Sequence, residues 1–124
     1  MALGRRRRIP RGFERVAAEV ERAKDALVAA VPASRREPEP LATSILAFED
    51  ALAEAARALE AWEGAPGDLA RRCRSAIEEA ARRSEWLRLE APSLDFESLV
   101  LVLGDVIAPL DVLGDVEYEV RRRA

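Results

Sequence analysis

The stretch from Leu94 to Val120 limits the possible folds more than any other part of this chain, because it is the most apolar. Six large apolar residues recur in it at intervals of 3, 4, 3, 4 and 3 residues: Phe96, Leu99, Leu103, Val106, Leu110 and Leu113. This spacing places them on one side of an α-helix and is typical of a helix packed against other helices. Other segments have to cover such a helix, so the pattern predicts a helical bundle.

Three upstream segments carry apolar stripes of the same kind, and the composition is dominated by Ala, Leu, Glu and Arg, which favour helices. We predict helices over about residues 11–31, 41–63, 68–89 and 94–120. The predicted fold class is all-α, a four-helix antiparallel bundle with a kinked apolar C-terminal helix. The alternative is a three-helix bundle of the second to fourth helices with a separately packed N-terminal helix.

Segments containing proline and glycine separate the predicted helices. Residues 32–40 form a proline-rich linker that spans about 28 Å when extended, so the direction of the first helix relative to the second stays open. The short GAPG turn at residues 64–67 makes the second and third helices antiparallel neighbours, with Gly64 in the left-handed conformation. We expect Asp68 and Ser93 to cap the third and fourth helices.

The last predicted helix contains two irregular residues, Gly104 and Pro109. Pro109 has no N–H to donate to the carbonyl of Asp105, so we expect a kink there. Further on, residues 116–120 (VEYEV) alternate in polarity, which fits a helix or a short strand. Because no other segment is a candidate strand, we predict that the helix continues.

The charge distribution suggests a basic arm followed by a folded domain. We predict a disordered arm over residues 1–10 and a single helical-bundle domain over residues 11–124. The net charge is −3 overall, but +4 over residues 1–40 and −7 over residues 41–124. The arm supports an alternative function, nucleic-acid association, in which phosphates contact Arg5, Arg6, Arg7, Arg8 and Arg11. A basic arm without a specific partner explains the same residues.

The sequence lacks the usual groups of catalytic and metal sites. It has no histidine, and its single cysteine, Cys73, falls on an apolar helix face, where a buried thiol is expected. No phosphate-binding loop, dinucleotide fingerprint or zinc-protease motif is present. We therefore predict that the protein is not an enzyme and has no cofactor, metal or small-molecule substrate.

A magnesium-dependent nucleotide phosphohydrolase is kept as a third hypothesis, because carboxylates can hold magnesium. The candidate pairs are Glu60 with Glu63, and Asp111 with Asp115, each spaced to lie on one helix face. A solvated acidic helix face explains both pairs more simply.

The predicted cellular location depends on the length and position of the apolar segments. No apolar run reaches the roughly 20 residues that span a bilayer. No apolar segment follows the basic run, as it would in a secretory signal. We predict a cytoplasmic protein, or a nuclear one in a eukaryote, without a membrane partner.

The functional prediction depends on apolar residues beyond those that form the core. On a helical projection Leu101 and Val112 fall opposite the core stripe of the last helix, and Trp86 and Leu89 widen the apolar end of the third. These four residues are either scattered surface residues or part of a second interface. We predict a non-enzymatic protein–protein interaction module, such as a scaffold or adaptor. It binds a protein partner, or itself as a homodimer, through the fourth helix and the end of the third.

Overall fold

The computed structural model describes residues 9–29 and 39–123, except for the side chains of residues 39 and 40. It contains five α-helices in the described residues: α1 (Arg11–Val28), α2 (Glu39–Ala61), α3 (Gly67–Glu90), α4 (Phe96–Ile107) and α5 (Val112–Arg123). Two short 3-10 turns, Ala91–Ser93 and Ala108–Asp111, precede α4 and α5. No strand occurs in these ranges, and the all-α fold class is confirmed. Residues 1–8 of the predicted arm over residues 1–10, and most of the predicted linker, lie outside the described residues.

The helices pack in chain order around a shared core. The backbones of α1 and α2 run close together along their length, and α3 lies between α2 on one side and α4 and α5 on the other. Each helix contributes buried apolar residues to one cluster, of which the largest fully buried members are Phe13, Phe48, Leu27, Ile45, Leu52, Leu69, Leu87 and Leu110. Burying each such side chain contributes roughly 1.5–3 kcal/mol. The first helix therefore shares the core of the other helices instead of packing separately.

Two contacts show which helix ends lie close together. The ring of Phe13, near the start of α1, lies 5.6 Å from the ring of Trp62, directly after α2. At the other end of the chain, the guanidinium of Arg123 in the last turn of α5 lies 2.8 Å from the carboxylate of Asp68 in the first turn of α3. Each contact joins the start of one helix to the end of a neighbour.

Two of the predicted helix caps are wrong. Asp68 does not cap α3, because the helix begins one residue before it, with Pro66 in the capping position. The Asp68 carboxylate instead accepts hydrogen bonds from Arg123. Ser93 lies in the 3-10 turn, where its hydroxyl donates to the carbonyl of Glu90. The cap of α4 is Asp95, whose carboxylate accepts a 2.7 Å hydrogen bond from the backbone N–H of Ser98. The left-handed conformation predicted for Gly64 is confirmed, with φ of 74°.

The predicted continuous helix over residues 94–120 is interrupted at Pro109, in the 3-10 turn between α4 and α5. The missing N–H of Pro109 leaves the carbonyl of Asp105 without its usual helical donor. The guanidinium of Arg83 on α3 donates to that carbonyl at 2.7 Å. Glu79, one turn earlier on α3, accepts a 3.1 Å hydrogen bond from Arg83 and holds it in place. A side chain of the neighbouring helix thus satisfies the carbonyl that proline leaves free.

This arrangement predicts that the effects of substituting Arg83 and Pro109 depend on each other. In the wild-type background Arg83→Met is expected to lower the free energy of unfolding by about 1 kcal/mol, the net value of such a hydrogen bond. In the Pro109→Ala background the restored N–H competes for the Asp105 carbonyl, so the same change costs about half as much or less. Urea denaturation of the four proteins of this cycle measures the difference.

Arg82 provides the matched control for this cycle, because it is an exposed α3 arginine that pairs with Glu79 within its own helix. Arg82→Met is expected to change stability by less than about 0.5 kcal/mol, equally with and without Pro109. Equal costs of Arg83→Met in both backgrounds would show that Arg83 does not substitute for the missing N–H.

Candidate interaction surface

Three of the four apolar residues singled out in the sequence are largely exposed and occur on adjacent helices. Trp86 is 50% exposed and Leu89 is 73% exposed at the end of α3, and Leu101 is 72% exposed on α4. Trp86 and Leu89 are three residues apart and therefore lie on one face of α3. We call Trp86, Leu89 and Leu101 the apolar patch.

A groove of about 440 Å³ between α3 and α4 adjoins the apolar patch. Its lining residues are Arg83, Trp86, Val102, Asp105 and Val106. The Arg83–Asp105 hydrogen bond fixes the spacing of the two helices at this level. Leu101 lies one turn before Asp105 on α4, on the same side of that helix as this lining residue. The groove is thus lined by one tryptophan, two valines, one arginine and one aspartate.

Val112 does not belong to this surface. It is half-buried and packs against the core at the start of α5. The sequence projection placed it outward because it assumed 3.6 residues per turn throughout. The four residues of the 3-10 turn wind at about three per turn, which advances the following helix by roughly 80° relative to that projection.

Further apolar side chains are exposed elsewhere, and the sequence analysis did not single them out. Val28, Leu46, Val100 and Tyr118 are each at least 40% exposed. They lie on four different helices: α1, α2, α4 and α5. Val28 and Leu46 fall outside the core stripes of α1 and α2. A helical projection of these two helices would have predicted their exposure. Single exposed residues of this kind are normal on protein surfaces.

The arginines proposed for nucleic-acid contact are only partly described. Arg5 to Arg8 lie outside the described residues, whereas Arg11 is exposed in the first turn of α1. Arg15, one turn further on, is also exposed. It lines a cleft of about 350 Å³ between α1 and α2, together with Arg57, which forms an ion pair with Glu54. The cleft contains both signs of charge.

The acidic pairs proposed for magnesium are exposed. Glu60 and Glu63 lie at the end of α2 and just after it, and Asp111 and Asp115 lie on either side of the start of α5. Within the described ranges, no three Cys, Asp or Glu side chains lie close enough together to hold a metal ion.

The inner face of α3 contains the only cysteine, Cys73, and a buried serine, Ser84. Cys73 is fully buried as predicted, and desolvation raises the pKa of its thiol to about 11, although the nearby Arg72 lowers it. A thiol with this pKa is almost entirely protonated at neutral pH and is a poor nucleophile. The hydroxyl of Ser84 is buried without a hydrogen-bond partner in the described structure, which costs part of the stability gained by burying that face.

Asp68 and Arg123 form the ion pair that joins the end of α5 to the start of α3. Two hydrogen bonds from the Arg123 guanidinium, at 2.8 and 3.0 Å, are the main reason why the pKa of Asp68 falls from 3.8 to about 2. Both side chains are substantially exposed, so salt screens the pair and its contribution to global stability is small. Its effect is local, at the last turn of α5.

The lowered pKa predicts that the end of α5 loosens in acid. A carboxylate with a depressed pKa stabilises the fold above its unfolded pKa, and this contribution is lost as pH falls from about 4 to about 2. The protection factors of the amides of residues 120–123, which remove the intrinsic pH dependence of hydrogen exchange, are expected to fall over that interval more than those at the middle of α3. In Asp68→Asn the protection factors of the last turn should be low at all pH values. An unchanged pH profile in this variant would assign the effect to other carboxylates.

Comparison with known proteins found no matching family, no similar curated protein and no similar solved structure. Among the helices that the structure describes, none combines the length and hydrophobicity needed to cross a bilayer.

Proposed function

We propose that this chain is a non-enzymatic protein–protein interaction module that binds through the outer face of α4 and the end of α3. The observation that carries the proposal is the exposure of the apolar patch beside the α3–α4 groove. The predicted cytoplasmic location, or nuclear in a eukaryote, is kept as part of the proposal, because a single cysteine allows no intramolecular disulfide.

The core of the molecule is complete without the apolar patch. Leu87 and Leu99, the neighbours of the patch on the inner faces of α3 and α4, are already buried. The fold therefore gains nothing from having Trp86, Leu89 and Leu101 exposed to water, because buried residues already form its core. Tryptophan is also among the residues that contribute most to binding at protein interfaces, particularly beside a groove that excludes water.

A photo-crosslinking experiment tests this proposal without assuming the identity of the partner. A benzophenone amino acid replaces Leu101 in one variant and Leu46, which is 53% exposed on α2, in the matched control. In cells that express the protein, position 101 is expected to give discrete protein adducts and position 46 none. These adducts are either of the chain with itself or with another protein. Equal adducts at both positions, or none at position 101, would contradict the proposal.

A second candidate function is association with nucleic acid through the N-terminal arginines. It is favoured by the exposure of Arg11 and Arg15 on successive turns of α1, directly after the basic arm. Binding to duplex DNA or RNA is expected to weaken about 10³-fold or more between 50 and 200 mM salt if six or more phosphates are contacted. Deletion of residues 1–11 should abolish it, and salt-independent binding would overturn this candidate.

A further inference from the structure

We propose that the occupant of the α3–α4 face is a second copy of this chain, related by a two-fold axis parallel to α3 and α4. In this homodimer Leu101 of each copy packs against Trp86 and Leu89 of the other. The inference rests on the proposed function, since it uses the same surface, and it goes further by naming the partner and the geometry.

Charge complementarity is the first argument. Over its full length α3 carries six arginines and five acidic residues, a net charge of +1, whereas residues 96–123 carry six acidic residues and three arginines, a net charge of −3. Exposed side chains belong to both sets, for example Arg71 on α3 and Asp105 and Asp115 on the other side of the groove. The α3 half of the surface is therefore more basic than the half formed by α4 and α5.

The two halves restrict how two copies can face each other. A two-fold axis in the interface plane but perpendicular to the helices would place α3 against α3 and α4 against α4, with like charges opposed. An axis parallel to the helices places the basic α3 of each copy against the acidic α4 and α5 of the other. Opposed like charges are unfavourable at an interface and opposed unlike charges select the register, so the parallel axis is favoured.

The register of α3 against α4 brings the apolar residues together about this axis. The Arg83–Asp105 and Asp68–Arg123 contacts fix which parts of α3 and of α4 and α5 lie at the same level. One turn beyond Asp105 toward the start of α4 lies Leu101, level with the part of α3 between Trp86 and Leu89. A rotation about an axis parallel to the helices keeps each level unchanged. Leu101 of one copy thus meets the apolar end of α3 of the other.

The available area suffices for a stable dimer. The 24 residues of α3 give a helix about 36 Å long, and two adjacent helices with axes about 10 Å apart present a face about 20 Å wide. The face is therefore about 700 Å² per copy, close to the roughly 800 Å² that each partner buries in a standard protein interface. The three residues of the apolar patch lie toward one end of it, and charged residues cover the rest.

The test is sedimentation velocity of the full chain at micromolar concentrations, with circular dichroism to show that each variant remains helical. The wild type is expected to be a dimer. Leu101→Glu and Leu89→Arg should each raise the Kd of dimerisation about tenfold or more, because a charge then faces an apolar side chain in both halves of the interface. Leu46→Glu, on α2, is the matched control and should remain a dimer.

Mixing the variants tests the geometry. Leu101→Glu and Leu89→Arg together should form a heterodimer, since one half of the interface is native and the other has a new ion pair. A mixture of Leu101→Glu with Leu101→Arg should not, because the proposed axis never brings the two Leu101 positions together. The reverse result would overturn the proposed axis.

The failure of the dimer and the failure of the proposed function give different results. A wild type that stays monomeric up to about 100 μM, or a dimer that Leu101→Glu leaves unchanged, overturns the homodimer. If position 101 still crosslinks to a different protein in cells, the interaction module remains supported and only its partner changes. If neither association nor adducts are found, both proposals fall.

Discussion

Replacing Trp62 with alanine is expected to lower the free energy of unfolding by about 3–5 kcal/mol, a cost typical of removing a buried aromatic side chain. Trp62 is only 7% exposed and lies where the end of α2 meets the start of α1. Its ring contacts Phe13 in a tilted arrangement, which adds to the burial term. Without the indole, a cavity opens between the two helices and Phe13 loses its aromatic neighbour.

The chain provides a matched control in its other tryptophan. Trp86→Ala removes the same side chain from a half-exposed position on α3, so the free energy of unfolding should fall by only about 1–1.5 kcal/mol, roughly half the value of a fully buried side chain. Guanidinium denaturation followed by far-ultraviolet circular dichroism measures both variants, in the dilute monomer so that association does not contribute. Similar losses for the two variants would contradict the division into a core tryptophan and a surface tryptophan.

The second large effect is expected at Gly12, in the first turn of α1. A methyl group at this position would overlap the side chain of Trp62, with the Cβ, Cγ and Cδ1 atoms of the tryptophan all within 3 Å of it. Trp62 is rigid and buried and cannot move aside without disturbing Phe13. Gly12→Ala is therefore expected to destabilise the protein by about 1–3 kcal/mol, although alanine is the better helix former.

Gly104→Ala serves as the control, because Gly104 lies in the interior of α4 with nothing within 4 Å of the position that a Cβ would take. There the change should raise the free energy of unfolding by about 0.5–1 kcal/mol through helix propensity alone. Thermal unfolding should show Tm shifts of opposite sign for the two substitutions. A stabilising Gly12→Ala would mean that Trp62 does not occupy the position beside Gly12.

Most of what could be predicted about the fold came from the spacing of the apolar residues. The spacing of Leu99, Leu103, Val106 and Leu110 identified buried positions that the structure confirms. Pro109 marked the position of the helix interruption, because the absence of its N–H is a local property that needs no tertiary information. Local chemistry also sufficed for Gly64, whose left-handed conformation follows from the turn itself.

Three of the features that sequence reasoning missed depend on a partner from another part of the chain. Asp68 is a residue type that favours helix caps, but α3 begins one residue before it, and its carboxylate pairs with Arg123, 55 residues later. Nothing in the sequence indicates that position 12 requires glycine. Only the structure shows that Trp62 occupies the space that a side chain at Gly12 would need. Arg83 is one of six arginines on α3, and only the structure brings it to the Asp105 carbonyl.

The candidate surface, too, was only partly predictable from the sequence. Trp86, Leu89 and Leu101 each lie on a regular helix, where a projection at 3.6 residues per turn gives the correct side. Val112 follows the 3-10 turn, where that projection loses its phase. The adjacency of Leu101 to the end of α3 was not predictable, because it depends on the register set by Arg83 and Asp105.

The position of Cys73 gives this protein a built-in reporter of its own opening. The single thiol lies on the inner face of the central helix α3, fully buried, and its pKa of about 11 suppresses reaction with alkylating reagents while the fold is intact. Reaction therefore requires α3 to separate from its neighbours, and the alkylation rate measures how often it does so. No cysteine has to be introduced for such a measurement, and the unmodified chain can be compared with every variant proposed for α1, α2 or α4.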